Sequence, residues 1–239
     1  MTRFLKLLRA APDPAIADKS AMGTMFTRAY RYCEPMRLAS GTGWYMFSPI
    51  DIDLIFDGVS ISWRPAGGDR FEKLTNLKDT RFRDEFEMTC PDSLHGLAPV
   101  TIGSTIEPGV FQLWSGYLME APPGYSAIVR NPPNLPITEN MIGYEGIIRA
   151  DTWLGPLLTN IRILRTDTVV SLRRNMPVFF VQLIRSEDLS RDIHANMTIE
   201  TGIEAFRDPD WSKFSEVMLK SGNARGAYAR KTRRAQASS

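Results

Sequence analysis

Two arginines in the middle of the chain, Arg130 and Arg149, are the side chains best suited to bind an anion. A guanidinium stays charged at physiological pH and can hold a phosphate or carboxylate through two parallel hydrogen bonds. Asp151 follows Arg149 at a spacing of two and is the candidate catalytic carboxylate, although a structural ion pair with Arg149 fits the same spacing. The other candidate ligand-binding residues are amides and aromatics: Asn131, Asn134, Asn160, Gln182, Trp114, Tyr125 and Trp153.

These residues have the composition of a small-molecule pocket, which combines apolar walls with a few directional polar groups. Trp44 and Tyr45, from an earlier segment, would add to the aromatic walls. The alternative is that the large aromatics belong to the hydrophobic core, where such side chains are most often found.

Metal and nucleophile chemistry have little support in the sequence. His95 lies near Cys90, but His194 is the only other histidine, so a three-histidine centre is excluded and we expect no metal site. Cys33 and Cys90 are more typical of buried or inert thiols than of nucleophiles. The chain also lacks a glycine-rich nucleotide loop, and no motif identifies a cofactor.

Composition places the chain among ordinary globular proteins, with 43% hydrophobic and 23% charged residues and a net charge of +2. Two cysteines do not form a disulfide framework, so we expect a reduced, cytoplasmic protein. No apolar run reaches the ~18–20 residues of a transmembrane helix, so we expect no membrane partner. Five cations near the C-terminus would give weak, salt-sensitive attraction to nucleic acid at most: Arg225, Arg230, Lys231, Arg233 and Arg234.

Alternating apolar residues on both sides of Asp57-Gly58 predict a β-hairpin over residues 50–63 with a type I′ turn. Asp51 and Asp53 would share one face of its first strand, either as a paired-carboxylate site or as a solvated face. Between residues 109 and 185, short apolar strands alternate with Pro/Gly turns. Apolar residues at helical spacing then predict a helix at about 206–221.

Three pieces of the central stretch resemble, in order, segments of the deoxyuridine triphosphatase and deoxycytidine triphosphate deaminase superfamily. They are residues 122–130 (PPGYSAIVR), 146–151 (GIIRAD) and 175–184 (NMPVFFVQLI). The resemblance implies a mainly β fold, a β-clip-like barrel or sandwich of short strands, and the C-terminal helix predicted at about 206–221 would cover it. The patterning along the chain predicts an N-terminal arm (1–32), a single β-rich domain (33–221) and a basic disordered tail (222–239).

The departures from that superfamily fall on its chemistry. Arg149 stands where the family has its water-activating aspartate, and a guanidinium cannot act as a general base. Asn131 and Pro132 replace the phosphate-contacting serines that follow the family's arginine. More of the chain resembles an uncharacterised bacterial domain-of-unknown-function family, through the segments Cys33-x-Pro35, Gly43-Trp44-Tyr45, Gln112–Gly116, Asn134–Pro136, Asp151–Trp153, Thr159-Asn160 and Gln182-Leu183.

Two functions remain open at this point. The first is a small-molecule binding protein or enzyme on a β-clip-like scaffold, with an anionic ligand such as a nucleotide or another phosphate-bearing molecule. The second is a non-enzymatic assembly protein that forms a homo-oligomer, a trimer or a dimer. The two differ in whether the candidate polar groups converge in one cavity or line a seam between subunits.

Overall fold

The structure, a computed structural model, describes residues 1–136 and 140–223, and it is mainly β. The first sheet contains β1 (Arg3–Lys6), β7 (Asn76–Leu77), β8 (Ile102–Ser104), β9 (Val110–Glu120), β11 (Met141–Gly143) and β13 (Pro156–Ile163). The second contains β2 (Ala15–Ile16), β3 (Trp44–Phe47), β10 (Tyr125–Arg130), β12 (Gly146–Ile148) and β15 (Pro177–Arg185). The third contains β4 (Ile52–Phe56), β5 (Ile61–Pro65), β6 (Glu72–Lys73) and β14 (Val170–Leu172).

Every strand pairing within the described residues is antiparallel, and no sheet there closes on itself. The second sheet runs in the order β12-β10-β15-β3-β2, and the first in the order β11-β13-β9-β8-β7. The expectation of a mainly β chain is therefore confirmed, whereas the barrel alternative is wrong because the sheets have open edges.

The long strand β9 organises the first sheet. Its first half pairs with β8, and its second half pairs with β1, so two short strands lie end to end along one edge of it. Buried residues of all three sheets meet in one core, which includes Phe111, Trp114, Phe179 and Leu54. Residues 1–32, predicted as an arm, lie against this body: Leu8 is buried, and its backbone N–H donates to the carbonyl of Gly116.

The hairpin predicted over residues 50–63 is confirmed as β4 and β5. Its turn differs from type I′, which needs positive φ at both central residues. In the loop between the paired residues Phe56 and Ile61, only Gly58 has positive φ (97°). The Asp57 carboxylate closes the loop by accepting from the backbone N–H groups of Val59 (2.8 Å) and Ser60 (2.6 Å).

The helices are α1 (Thr27–Tyr32), α2 (Glu34–Gly41), α3 (Thr80–Thr89), α4 (Arg191–Ala195) and α5 (Asp208–Asn223). The apolar stripe of α5 is exposed rather than packed, with Trp211 at 43% and Val217 at 62%, so a covering role for this helix is not confirmed. No described helix is long and apolar enough to cross a membrane. The basic tail predicted over residues 222–239 overlaps the end of α5 at residues 222 and 223, and the rest of it lies outside the described residues.

Candidate ligand-binding groove

An open groove of about 450 Å³ lies between β12, an edge strand of the second sheet, and β13 of the first sheet. This volume is within the ~300–1,000 Å³ typical of small-molecule sites. Its wall is mostly apolar and is formed by Val129, Tyr144, Glu145, Gly146, Ile147, Ile148, Arg149, Trp153, Pro156, Leu158, Thr159 and Asn160. Three of the residues predicted from the sequence, Arg149, Trp153 and Asn160, are among them.

A tight turn after β12 places Arg149 and Trp153 side by side. The carbonyl of Arg149 accepts hydrogen bonds from the backbone N–H groups of Thr152 (3.0 Å) and Trp153 (2.9 Å). The indole ring of Trp153 then lies against the backbone of Gly155, where an added Cβ would come within 2.6 Å of ring carbon Cε2. Glycine at position 155 is therefore what allows the ring to lie along the groove.

Arg149 presents its charge to solvent. Its side chain is 61% exposed, and its Nε lies at an ion-pair distance of 3.5 Å from Oδ1 of Asp151. Its terminal nitrogens make no hydrogen bond within the described residues. The outer edge of the guanidinium is thus available to a ligand in the groove.

Asp151 lies behind this arginine and does not line the groove. Its side chain is 8% exposed, and Oδ2 accepts a hydrogen bond from the backbone N–H of Gly124 at 3.2 Å. The carboxylate therefore anchors the Pro/Gly turn before β10 and orients Arg149, and it is not placed to act on a ligand in the groove.

Asn160 contributes a side-chain amide from β13. Its Oδ1 accepts from Nε2 of Gln112 on the neighbouring strand at 3.2 Å, and its backbone carbonyl accepts from the N–H of Tyr144 at 2.8 Å. These contacts fix the amide orientation. Its Nδ2 makes no hydrogen bond within the described part of the chain, so it can donate to a ligand.

Arg130 and Gln182 pair with each other instead of lining the groove. The guanidinium donates to Oε1 of Gln182 at 2.6 Å and lies 5.8 Å from the centroid of the Phe180 ring. Neighbouring residues of a strand point to opposite faces. Because Val129 faces the groove, Arg130 is directed to the other side of the second sheet.

The two remaining amides hold the loop after β10. Asn131 makes two hydrogen bonds to the backbone of Gly143, one as donor and one as acceptor, both at 3.0 Å. Asn134, with φ of 58°, donates to Oγ of Ser40 on α2 at 3.0 Å. Neither residue lines the groove. Both side chains are engaged in fastening the proline-rich loop.

Most of the other predicted wall residues lie in the core or apart from the groove. Trp114 is 1% exposed, and its indole N–H donates to the carbonyl of Tyr117, so it is a core residue. Tyr45 is also buried, and Trp44 packs edge-on against Phe4. Tyr125 is 38% exposed but does not line the groove.

The sequence reasoning missed Tyr144, Glu145 and Ile147 as groove residues. Tyr144 and Glu145 form the short link between β11 and β12, two strands that belong to different sheets. Their proximity to Asn160 depends on the pairing of β11 with β13, which local patterning does not reveal. The sequence signal that could have indicated them is the segment Gly143-Tyr144-Glu145-Gly146, in which an aromatic residue and a carboxylate lie between two glycines.

The chain matches no protein-family model and no curated protein sequence. Its function is therefore judged from the geometry of its own residues.

Asp51 and Asp53 do not form a paired-carboxylate site, and Asp53 is not solvated. Asp53 is 5% exposed, and it accepts from Arg173 (2.6 Å), Ser171 (2.8 Å) and Arg64 (3.3 Å). Burial favours its neutral form, but these hydrogen bonds outweigh burial, so the pKa of Asp53 lies below its ordinary value. The network ties β4, β5 and β14 together and is structural.

A second cluster of potential ligands lies away from the groove, after α3. Glu87, Cys90 and His95 each offer a donor atom, and the three atoms lie within 4.8 Å of one another. The backbone N–H of Gly96 donates to both carboxylate oxygens of Glu87 at 3.0 Å. The loop after the helix is thereby folded back onto its last turn.

Proposed function

We propose that the groove binds a small molecule that carries an anionic group, such as a phosphate, a carboxylate or a nucleotide, held by Arg149 and Trp153. The observation that carries the proposal is the pairing, at one groove, of an exposed guanidinium, whose terminal nitrogens make no hydrogen bond to a described residue, with a 44% exposed indole. The guanidinium suits the anion, and the indole suits a flat or apolar part of the same ligand.

The other polar groups of the groove favour a ligand with hydrogen-bonding groups beyond its anion. Nδ2 of Asn160 can donate to a ligand acceptor. Glu145 lines the same groove, and a carboxylate accepts from a hydroxyl or an amine. A sugar phosphate or a nucleotide combines all of these features, whereas a simple inorganic anion uses only Arg149.

We further propose a β-clip-like scaffold. The three segments that resemble the triphosphatase and deaminase superfamily lie on, or adjoin, β10, β12 and β15. These strands are neighbours in one sheet, because β10 pairs with β12 on one side and with β15 on the other. The order of the three segments in the sequence and the adjacency of their strands in one sheet both support a relationship to the β-clip superfamily.

The chemistry proposed for this scaffold is binding rather than triphosphate hydrolysis. Arg130, which matches the superfamily's arginine, is engaged by Gln182. Asn131, which replaces one of the phosphate-contacting serines, is engaged by Gly143. Arg149 takes the place of the catalytic base and supplies a binding charge instead.

A thermal-shift screen against nucleotides, sugar phosphates and carboxylates tests the proposal. At a hundredfold excess over its Kd, a ligand that binds only the native state adds about 2.7 kcal/mol of stability. For a chain of this size, that corresponds to a rise in Tm of about 5–10 °C. We expect Arg149→Ala and Trp153→Ala to remove most of the shift and Arg149→Lys to retain part of it.

Arg185→Ala is the matched control. Arg185 is 63% exposed and ion-paired with Glu187 at 2.7 Å, much like Arg149 with Asp151, but it lies outside the groove. The control should keep the full shift. A full shift in Arg149→Ala would refute the assignment of the groove as the anion site.

The second candidate, self-association, is favoured by exposed apolar side chains that line the groove or adjoin its lining residues in the chain. Ile142, Tyr144, Ile147, Trp153 and Leu154 are each between 44% and 53% exposed. Patches of this kind often mark interaction surfaces. Light scattering of the purified chain distinguishes the two candidates. A dimer or trimer that dissociates in the variants Ile147→Ser and Leu154→Ser would support assembly. A monomer would argue against assembly and favour ligand binding in the groove.

A further inference from the structure

The turn that follows α3 gathers a carboxylate, a thiol and an imidazole at one point. Glu87 lies in the last turn of the helix, Cys90 is the residue that caps its C-terminus, and His95 follows a single 3-10 turn. One donor atom of each lies within 4.8 Å of the other two. This mixed set of oxygen, sulfur and nitrogen donors is not an acidic surface cluster.

Backbone hydrogen bonds fix each donor-bearing residue in place. The N–H of Cys90 donates to the carbonyl of Phe86 at 2.8 Å, and the N–H of His95 donates to the carbonyl of Asp92 at 3.2 Å. Glu87 is held by its two contacts with Gly96. The folded loop therefore sets the backbone positions of Cys90 and His95, and it also holds the carboxylate of Glu87.

We propose that Glu87, Cys90 and His95 form a site for a divalent transition-metal ion of the zinc class. A thiolate and an imidazole are ligands that zinc prefers, whereas magnesium and calcium take oxygen donors. Three protein ligands leave the fourth tetrahedral position to water. In a zinc site the donors lie about 3.5 Å apart, given metal–ligand distances of about 2.0–2.3 Å, so donor atoms that are up to 4.8 Å apart have to move closer together when the ion binds.

The local charge also suits a cation. The carboxylates of Glu87 and Asp92 place negative charge beside Cys90. A divalent ion is attracted by this charge and stabilises the thiolate form of the cysteine that binds it. Asp92 adds negative charge, with Oδ1 at 4.0 Å from Nε2 of His95. The His95 side chain is 51% exposed, so an ion can reach the site from solvent.

The test is metal binding by the purified full chain after treatment with a chelator, measured by competition with a colorimetric zinc indicator. We expect one equivalent of Zn²⁺ per chain. We expect Cys90→Ser, His95→Asn and Glu87→Gln to weaken binding by more than the ~10–100-fold that loss of an outer-shell partner costs. The amide oxygen introduced by Glu87→Gln can still accept from the backbone N–H of Gly96, so this variant removes the charge while leaving the loop contact.

The chain supplies its own matched controls, because it has only two cysteines and two histidines. Cys33→Ser and His194→Asn should bind Zn²⁺ as the wild type does. Absorption of the Co²⁺ form gives a second readout: thiolate-to-metal charge transfer should be present in the wild type and absent in Cys90→Ser. Zn²⁺ should also protect Cys90, but not Cys33, from alkylation.

Three outcomes would overturn the proposal. The first is no saturable Zn²⁺ binding by the wild type. The second is equal loss of binding in the control variants. The third is Co²⁺ binding without thiolate charge transfer. The alkylation measurement uses the wild-type chain. It therefore still tests the proposal if one of the variants fails to fold.

Discussion

Replacing Gly155 by alanine should displace the Trp153 ring from the groove wall without unfolding the chain. The added methyl would meet ring carbon Cζ2 first and would lie 2.5 Å from Cη2, whereas ordinary contacts begin at 3.4 Å, so the ring has to retreat by more than about 0.9 Å. Because Trp153 is 44% exposed, it can swing into solvent. We therefore expect the free energy of unfolding to change by about 0.5 kcal/mol or less, as for a surface substitution.

The indole N–H resonances in a ¹⁵N–¹H NMR spectrum measure the displacement. The chain has five tryptophans, and Trp153→Phe identifies the resonance of Trp153. That resonance should shift in Gly155→Ala and stay in place in Gly146→Ala, a control in the same groove whose added methyl meets nothing within 4 Å.

The same substitution should also weaken a ligand that stacks on the ring. Loss of stacking worth about 1–3 kcal/mol corresponds to a fall in affinity of about 5- to 150-fold. An unmoved Trp153 resonance would refute the reasoning. So would a loss of unfolding free energy above about 2 kcal/mol, because that loss would show that the ring is held as part of the core.

Two further predictions concern stability. Asp53→Asn should lower the unfolding free energy by about 2 kcal/mol at pH 7, because it removes charged hydrogen bonds from partners that keep some access to water. Since the folded pKa of Asp53 is depressed, its contribution is present above the unfolded pKa and is lost as pH falls through the folded pKa. The difference between wild type and variant in urea denaturation should therefore shrink in acid, and a difference independent of pH would contradict this. Gly116→Ala should destabilise more than Gly124→Ala. Both have positive φ (86° and 80°), but the added methyl meets Leu8 at 2.8 Å only at position 116, and equal losses would show that φ alone matters.

Local patterning predicted the longer strands, whereas short strands such as β1, β2, β6, β7 and β8 were not predicted. The hairpin of β4 and β5 follows from alternation around Asp57-Gly58, and the strands between residues 109 and 185 follow from short apolar runs bounded by Pro/Gly turns. The helices α1 and α2 were not predicted. Their segment (27–41) contains a break at Cys33-Glu34-Pro35, so neither helix is long enough to show a clear apolar period.

Only part of the site was predicted, because the sequence shows which residue types are present but not the direction in which each side chain points. Arg130 and Arg149 have the same chemistry, but the pleat turns Arg130 towards Gln182, and the turn after β12 leaves Arg149 at the groove. Similarly, the sequence places His95 near Cys90 but does not single out Glu87, and it predicted no metal site. Their proximity depends on the loop folding back through Gly96, a tertiary contact that spacing alone does not determine.

The pairing of β1 with β9 sets the order in which the first sheet can be completed during synthesis. Lys6 pairs with Tyr117, so β1 leaves the ribosome more than a hundred residues before its partner strand. At about 5–20 residues per second, that delay is on the order of 5–20 s. During this time Phe4 and Leu5 have no sheet to join and are open to chaperones or to neighbouring nascent chains. Arrival of β9 then closes the longest sequence separation in the sheet, the kind of contact that slows folding most.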